Sequence, residues 1–119
     1  MKATLALSFL TALVSVPAFA DCQAPSNAII IPDGNSATRD EMVAAQKKIK
    51  EFDGQVGDYI GCLQQDFDKS QQDNSLSAGD KEKLTKKFSD LKDAQLAKDK
   101  ALADKFNTEL RAWKAKHPA

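Results

Sequence analysis

The chain is poor in the residues that most enzymes use for catalysis. It contains one histidine, His117, and two cysteines, Cys22 and Cys62. His117 stands just before Pro118 in a segment that we expect to be frayed, and a general base needs a fixed geometry. We therefore expect no serine, cysteine or metal catalysis built around histidine, and we predict that the protein is not an enzyme.

Recognisable ligand loops are also missing. There is no glycine-rich loop of the kind that holds phosphate groups. Asp66, Asp68 and Ser70 begin like a calcium-binding loop, but Ser77 stands where such a loop requires a glutamate. Asp53 and other carboxylates are expected on an exposed helix face, which argues against glycosidase chemistry. We predict no bound metal and no cofactor.

Long apolar runs are confined to the first residues. Residues 1–20 have a positive start at Lys2, an apolar stretch, and the small-residue pattern Ala18-Phe19-Ala20 after Pro17. This arrangement is typical of a secretory signal peptide. No later run approaches the ~20 apolar residues of a membrane-spanning helix. We expect a periplasmic or secreted protein without a membrane span, cleaved after Ala20.

Export places the two cysteines in an oxidising compartment, where a pair of thiols is expected to form a disulfide. A first helix beginning near Thr38 would carry Cys62 roughly 36 Å along its axis. The segment between Cys22 and Thr38 can span up to about 53 Å when extended. The segment is therefore long enough to double back along the helix, and we predict a Cys22–Cys62 disulfide.

The remaining chain predicts a helical hairpin. Prolines and an Asp33-Gly34 turn make residues 21–37 an extended lead-in segment. Residues 38–119 then form two long antiparallel helices, at about 38–72 and 78–116, capped by Thr38 and Ser77. The fold class is all-α and coiled-coil-like, with the lead-in segment tied back by the disulfide.

Apolar residues recur along each helix at alternating steps of three and four, which is a heptad pattern. In the first helix they are Met42, Ala45, Ile49, Phe52, Val56, Tyr59 and Leu63; in the second they are Leu84, Phe88, Leu91, Leu102, Phe106, Leu110 and Trp113. Gln95 and Lys98 interrupt the second stripe, and Leu96 lies off it. A turn at residues 75 and 76 brings six apolar pairs into register: Phe67–Leu84, Leu63–Phe88, Ile60–Leu91, Ile49–Leu102, Ala45–Phe106 and Met42–Leu110.

Charge is divided unevenly along the chain. Residues 21–77 contain five basic and ten acidic residues, a balance of minus five; residues 78–119 contain eleven basic and seven acidic residues, a balance of plus four. A basic half can serve as a surface for nucleic acid or anionic lipid. We favour mutual neutralisation of the two halves in one folded unit, because the lysines alternate with acidic residues, and we predict no nucleic-acid partner.

Two features of the pattern are open to more than one interpretation. Gly54, Gly57 and Gly61 share the back of the first helix; they form a flat partner-binding strip, accommodate the lead-in segment, or mark a kink or break near Gly54. Trp113 is expected to cluster with Phe106 and Met42 at the open end of the hairpin. That cluster is a partner-binding patch or a small core that closes the open end.

The segment from Pro32 to Phe52, P-D-G-N-S-A-T-R-D-E-M-V-A-A-Q-K-K-I-K-E-F, is followed by Tyr59-Ile60-Gly61-Cys62. It resembles a group of small, uncharacterised exported proteobacterial proteins. That group has a cysteine near the mature start, a P-D-G turn, an E-M-x-x-A-Q-x-x-[VI]-K-x-[FY] helix and a later Y-x-x-C. The resemblance implies a Gram-negative periplasmic setting and carries over no catalytic residue.

These observations favour a non-enzymatic periplasmic protein that works through its surface, as an interaction or envelope-associated protein whose partner the sequence does not identify. An alternative is a small chaperone-like or stress protein that binds exported clients through an exposed apolar face. Because two helices bury only one stripe each, a second copy of the chain is a candidate first partner.

Overall fold

A computed structural model describes residues 18–26 and 28–118. Within them the secondary structure consists of two α-helices, α1 (Arg39–Gln72) and α2 (Ala78–Lys116), without a β-strand. The two helices pack against each other as an antiparallel hairpin. The predicted all-α hairpin is confirmed. Residues 1–17 of the predicted signal peptide lie outside the described residues.

The start of α1 is held by a capping box. The Thr38 hydroxyl accepts a hydrogen bond from the Glu41 backbone N–H at 3.2 Å, and the Glu41 carboxylate accepts one from the Thr38 N–H at 2.7 Å. These bonds satisfy backbone donors that have no partner within the helix. Further along, α1 buries the seven residues of the predicted apolar stripe.

The turn between the helices is fixed by polar contacts. Asp73 accepts hydrogen bonds from the Ser75 hydroxyl at 2.6 Å and from the Ser75 N–H at 2.9 Å, and these bonds lower the pKa of Asp73. Across the turn, the Lys81 ammonium donates to the Gln71 carbonyl at 2.8 Å, and the Gln71 side-chain amide donates to the Lys81 carbonyl at 3.3 Å. This pairing lies within one residue of the predicted register.

The core is divided into two apolar clusters. The cluster near the turn is built on Tyr59 and Leu63, and the cluster at the open end is built on Met42, Ile49 and Phe106. Both members of each of the six predicted pairs lie in the same cluster. The predicted partners therefore share a core, although α2 itself fully buries only Gln95 and Phe106.

Between the clusters the hairpin is polar. Gln95 is only 4 % exposed, as its place in the stripe predicts, and Leu96 is 43 % exposed. The prediction for Lys98 is wrong: Lys98 is exposed, and Asp99 is the half-buried residue. The residue that follows Gln95 on the stripe is Asp99, four positions later. A spacing of four is closer to the 3.6-residue helical repeat than the spacing of three that would place Lys98 on the stripe.

The lead-in segment, residues 21–37, has no regular secondary structure in its described part. The Cys22–Cys62 disulfide is confirmed, with the two Cα atoms 5.6 Å apart. From there the segment returns along α1: Ala28 and Ile29 lie beside Phe52, and Pro32 lies beside Ala45. In the part of the chain that the structure describes, neither helix carries an apolar stretch long enough to cross a lipid bilayer.

Candidate interaction surfaces

The N-terminal segment, which comprises the described residues before α1, covers one side of the helix pair. On α2, the Lys87 ammonium donates to the Ala18 carbonyl at 3.2 Å, and the Glu109 carboxylate accepts from the Gly34 N–H at 2.8 Å. On α1, the segment borders a cavity of about 360 Å³ beside Lys48 and Gln55. By contrast, a cavity of about 140 Å³ at the open end is lined by residues of the two helices alone.

That second cavity marks the other side of the hairpin, which we call the uncovered face. Helix periodicity places Arg39, Gln46 and Asp53 of α1 on this side, with Leu96 and Ala103 of α2 opposite them. The described part of the lead-in segment makes its contacts on the other side of the pair. The uncovered face consequently has no contact with the described part of the lead-in segment.

The apolar stripe of α2 is less well covered than that of α1. All seven stripe residues of α1 are buried, whereas of the seven in α2 only Phe106 is. The other six are half-buried: Leu84, Phe88, Leu91, Leu102, Leu110 and Trp113. The lead-in segment contacts both helices, but most of its path follows α1, which adds to the burial of the α1 stripe. The core is thus open along α2.

The glycine strip of Gly54, Gly57 and Gly61 is exposed. A Cβ atom built on any of these glycines meets no other described atom within 4 Å, apart from the neighbouring backbone of α1. The lead-in segment therefore does not lie on the strip, and α1 continues through it from Arg39 to Gln72 without a break. No described residue outside α1 approaches the strip, which lies on the back of the hairpin.

Gly34 contributes to the fold through close packing, which sequence reasoning missed. The Asp33-Gly34 turn sits directly against the backbone of α2. A Cβ atom on Gly34 would overlap the Glu109 carbonyl oxygen and would lie 2.9 Å from the Trp113 backbone nitrogen. Local sequence does not distinguish a glycine needed for a turn from one needed for a close approach.

We expect Gly34→Ala to lower the free energy of unfolding by about 1–3 kcal/mol, because the added methyl group can be accommodated only by moving the turn away from α2. Chemical denaturation followed by tryptophan fluorescence measures the change. Gly57→Ala is the matched control: its site is open, so this change should stabilise α1 by up to about 1 kcal/mol. Equal effects of the two changes would contradict the close contact.

Trp113 closes the open end of the hairpin. Its indole N–H donates to the Ala37 carbonyl at 3.1 Å, and its ring packs on the cluster that contains Ile31 and Phe106. The His117 ring stacks on the indole with the ring centres 4.3 Å apart. Trp113 is accordingly a core residue, and its remaining exposed surface lines the cavity at the open end.

A pair of carboxyl groups faces across the polar middle of the hairpin. Asp53 of α1 favours the protonated form of Asp99 by accepting its proton in a hydrogen bond, and this effect, together with partial burial and the charge of Asp53, raises the pKa of Asp99 from 3.8 to about 6. The side-chain nitrogen of Gln95, one helical turn away, is buried without a hydrogen-bond partner among the described residues. Neighbouring carboxylates repel each other, so one of them retains a proton at mildly acidic pH.

Asp99 should make stability depend on pH in an unusual direction. Because its pKa is raised in the folded state, its contribution is most favourable below about pH 4 and is lost as the pH rises to about 6. After allowance for solvent screening we expect a change of about 1 kcal/mol. Asp99→Asn should therefore be more stable than the wild type at pH 7, by about that amount, and the difference should vanish near pH 4.

Urea denaturation between pH 4 and pH 7 measures this difference. The control is Asp58→Asn, which removes an exposed carboxylate from α1. A difference between wild type and Asp99→Asn that stays constant across the range would contradict the carboxyl pair.

The chemically reactive groups of the chain are engaged in structural contacts. The Asp66 carboxylate lies 3.4 Å from the Cys22 sulfur, but the disulfide leaves no thiolate there to bind a metal. His117 is exposed and donates from Nδ1 to the Trp113 carbonyl at 2.9 Å.

Comparison of the chain with protein-family models, curated proteins and solved structures finds no match. A function is therefore inferred from the surfaces of the hairpin alone.

Proposed function

We propose that this chain is a non-enzymatic exported protein that acts in the periplasm by presenting its uncovered face to a protein partner. The observation that carries the proposal is the open core along α2. Six apolar stripe residues of α2 remain half-buried, and two of them, Leu110 and Trp113, line the cavity on the uncovered face. Apolar surface left beside a packed core is typical of interaction sites.

The location is supported by the disulfide and by the sequence of the first residues. A disulfide that ties the lead-in segment to α1 is typical of proteins that fold in oxidising compartments. The small-residue pattern ending at Ala20 supports cleavage at that position. The resemblance to small exported proteobacterial proteins supports the same setting.

A second copy of the chain and exported client proteins are alternative occupants of the uncovered face. Hairpins with one apolar stripe on each helix often pair into four-helix bundles, which would cover the open stripe of α2. A chaperone-like role requires an exposed apolar face, to which Leu96, at 43 % exposure, would contribute. The same experiment separates these possibilities.

The test is photo-crosslinking in the native periplasm with the full chain carrying a photoreactive residue at Leu96. The matched control carries it at Ala101, which is also exposed and lies on a different side of α2. We expect one dominant protein adduct at position 96 and a much weaker one at position 101, with mass spectrometry identifying the partner.

The composition of the adduct decides between the occupants. A dimer of this chain assigns the face to self-association, and sedimentation of the oxidised protein should then show that dimer. A broad set of exported proteins assigns it to client binding. Equal crosslinking at both positions, or no adduct at position 96, would remove the uncovered face as the site of action.

A further inference from the structure

The residues just before the lead-in segment are packed into the hairpin. Phe19 is 7 % exposed and belongs to the cluster of Tyr59 and Leu63 near the turn. Its ring centre lies 6.4 Å from that of Phe88, which itself stacks on Phe67 at 4.7 Å. Phe19 thus fills an aromatic-sized notch between the two helices.

Polar contacts hold the backbone around Phe19. The Lys87 ammonium donates to the Ala18 carbonyl at 3.2 Å and lies 5.8 Å from the centre of the Phe19 ring. The Cys22 N–H donates to the Phe19 carbonyl at 3.1 Å and closes a tight turn. Phe19 adopts a left-handed backbone conformation, with φ of 70°, which is strained for a bulky residue. The contacts of the ring must offset that strain.

Cleavage after Ala20, which is part of the proposed function, would remove Phe19 and leave the walls of this notch in place. Tyr59 and Leu63 belong to α1, and Phe88 and Lys87 belong to α2. The residues that line the notch therefore all remain in the mature chain. The adjacent disulfide also remains, because Cys22 follows the cleavage point. The mature protein would therefore carry an apolar notch with a cation at its rim.

We propose that this notch in the mature protein binds a phenylalanine side chain of another polypeptide, with Lys87 holding the main-chain carbonyl that precedes it. Phe19 shows what fits: a flat ring against Phe88, under the Lys87 ammonium, with its preceding carbonyl within hydrogen-bond distance of Lys87. Aromatic rings gain from aromatic neighbours and from a cation near the ring, whereas aliphatic side chains do not. The notch therefore selects an aromatic residue.

The burial of Phe19 also implies an order for signal-peptide cleavage and folding. A protease must bind residues 18–20 in an extended form, but the folded hairpin holds Phe19 inside the core. Processing must come before the hairpin closes, and the notch then forms without its internal occupant. The processed chain consequently folds with this binding site empty.

The experiment begins with the full chain, exported by its own first residues and recovered from the periplasm. Mass spectrometry reads the N-terminus, which we expect to be Asp21. The probe is acetyl-Ala-Phe-Ala-amide, titrated while NMR follows the Leu63 methyl groups and the Tyr59 ring, and acetyl-Ala-Ala-Ala-amide is the control probe. We expect saturable shifts with the first peptide and none with the second.

Three variants sharpen the test. Lys87→Gln should weaken binding about tenfold, because the contact with the carbonyl and the ring loses its charge, whereas the exposed Lys83→Gln should leave binding unchanged. Ala20→Leu blocks processing at a site that requires a small residue. Because it retains Phe19, the notch stays filled and the peptide should not bind.

The outcomes separate this inference from the proposed function. A recovered chain that still contains Phe19 would overturn both the predicted processing and the open notch. A chain that begins at Asp21 but responds equally to both peptides, or to neither, would overturn the notch and leave export standing. Equal binding by Ala20→Leu would show that the peptide binds elsewhere, which also overturns it.

Discussion

Replacing Leu63 by alanine is expected to lower the free energy of unfolding by about 3–5 kcal/mol. Leu63 is completely buried, at 0 % exposure, and it is the centre of the cluster near the turn. Removing its side chain leaves a cavity that the two helices cannot close without losing other contacts. Urea denaturation followed by circular dichroism measures the loss.

Leu96→Ala is the matched control, because Leu96 is on α2 and is 43 % exposed. We expect it to cost less than about 1 kcal/mol. Phe88→Ala should also destabilise, and because Phe88 and Leu63 share a cluster, the double variant should fall short of the sum of the single changes. Strict additivity would mean that the two side chains do not meet.

Loss of the disulfide is the second large effect that we expect. The bond closes a loop with a sequence separation of 40 residues, so the chain-entropy account gives a stabilisation of about 3–4 kcal/mol. Replacing both Cys22 and Cys62 by serine should lower the melting temperature by about 15–25 °C. The loss is a large share of the stability of a protein whose core is one layer thick.

Thermal unfolding with and without a thiol reductant measures this effect. Reduction should lower the melting temperature of the wild type to near that of the double-serine variant, and the reductant should leave that variant unchanged. If the oxidised wild type and the double-serine variant melt together, the disulfide does not stabilise the folded protein.

The parts of the fold that sequence reasoning predicts correctly depend on local signals. The stripe of α1 is predicted from apolar residues that recur at every turn of the helix. The caps are predicted from hydroxyl residues, Thr38 and Ser77, that stand three positions before Glu41 and Asp80. The disulfide follows from the even cysteine count and the reach of the lead-in segment. Each of these predictions needs only neighbouring residues or one length comparison.

The features that sequence reasoning misses depend on distant residues that share no pattern. Gly34 meets Glu109 across 75 positions, and the Asp53–Asp99 pair forms across the two helices. The prediction for Lys98 is wrong because the stripe of α2 changes its step at the polar layer. Phe19 appears in the sequence only as the middle of a cleavage pattern, so its packing against Leu63 has no local signal.

Contacts across the hairpin join residues that are further apart in sequence towards the open end, and this difference has a kinetic consequence. Gln71 and Lys81 are separated by 10 positions, whereas Ala37 and Trp113 are separated by 76. Short loops close at lower entropic cost, so the hairpin should zip from the turn outwards and slow at the polar layer around Gln95. The open end is then the last region to form and the first to open. Hydrogen exchange near Trp113 should therefore report local opening, while amides around Leu63 exchange only when the whole molecule unfolds.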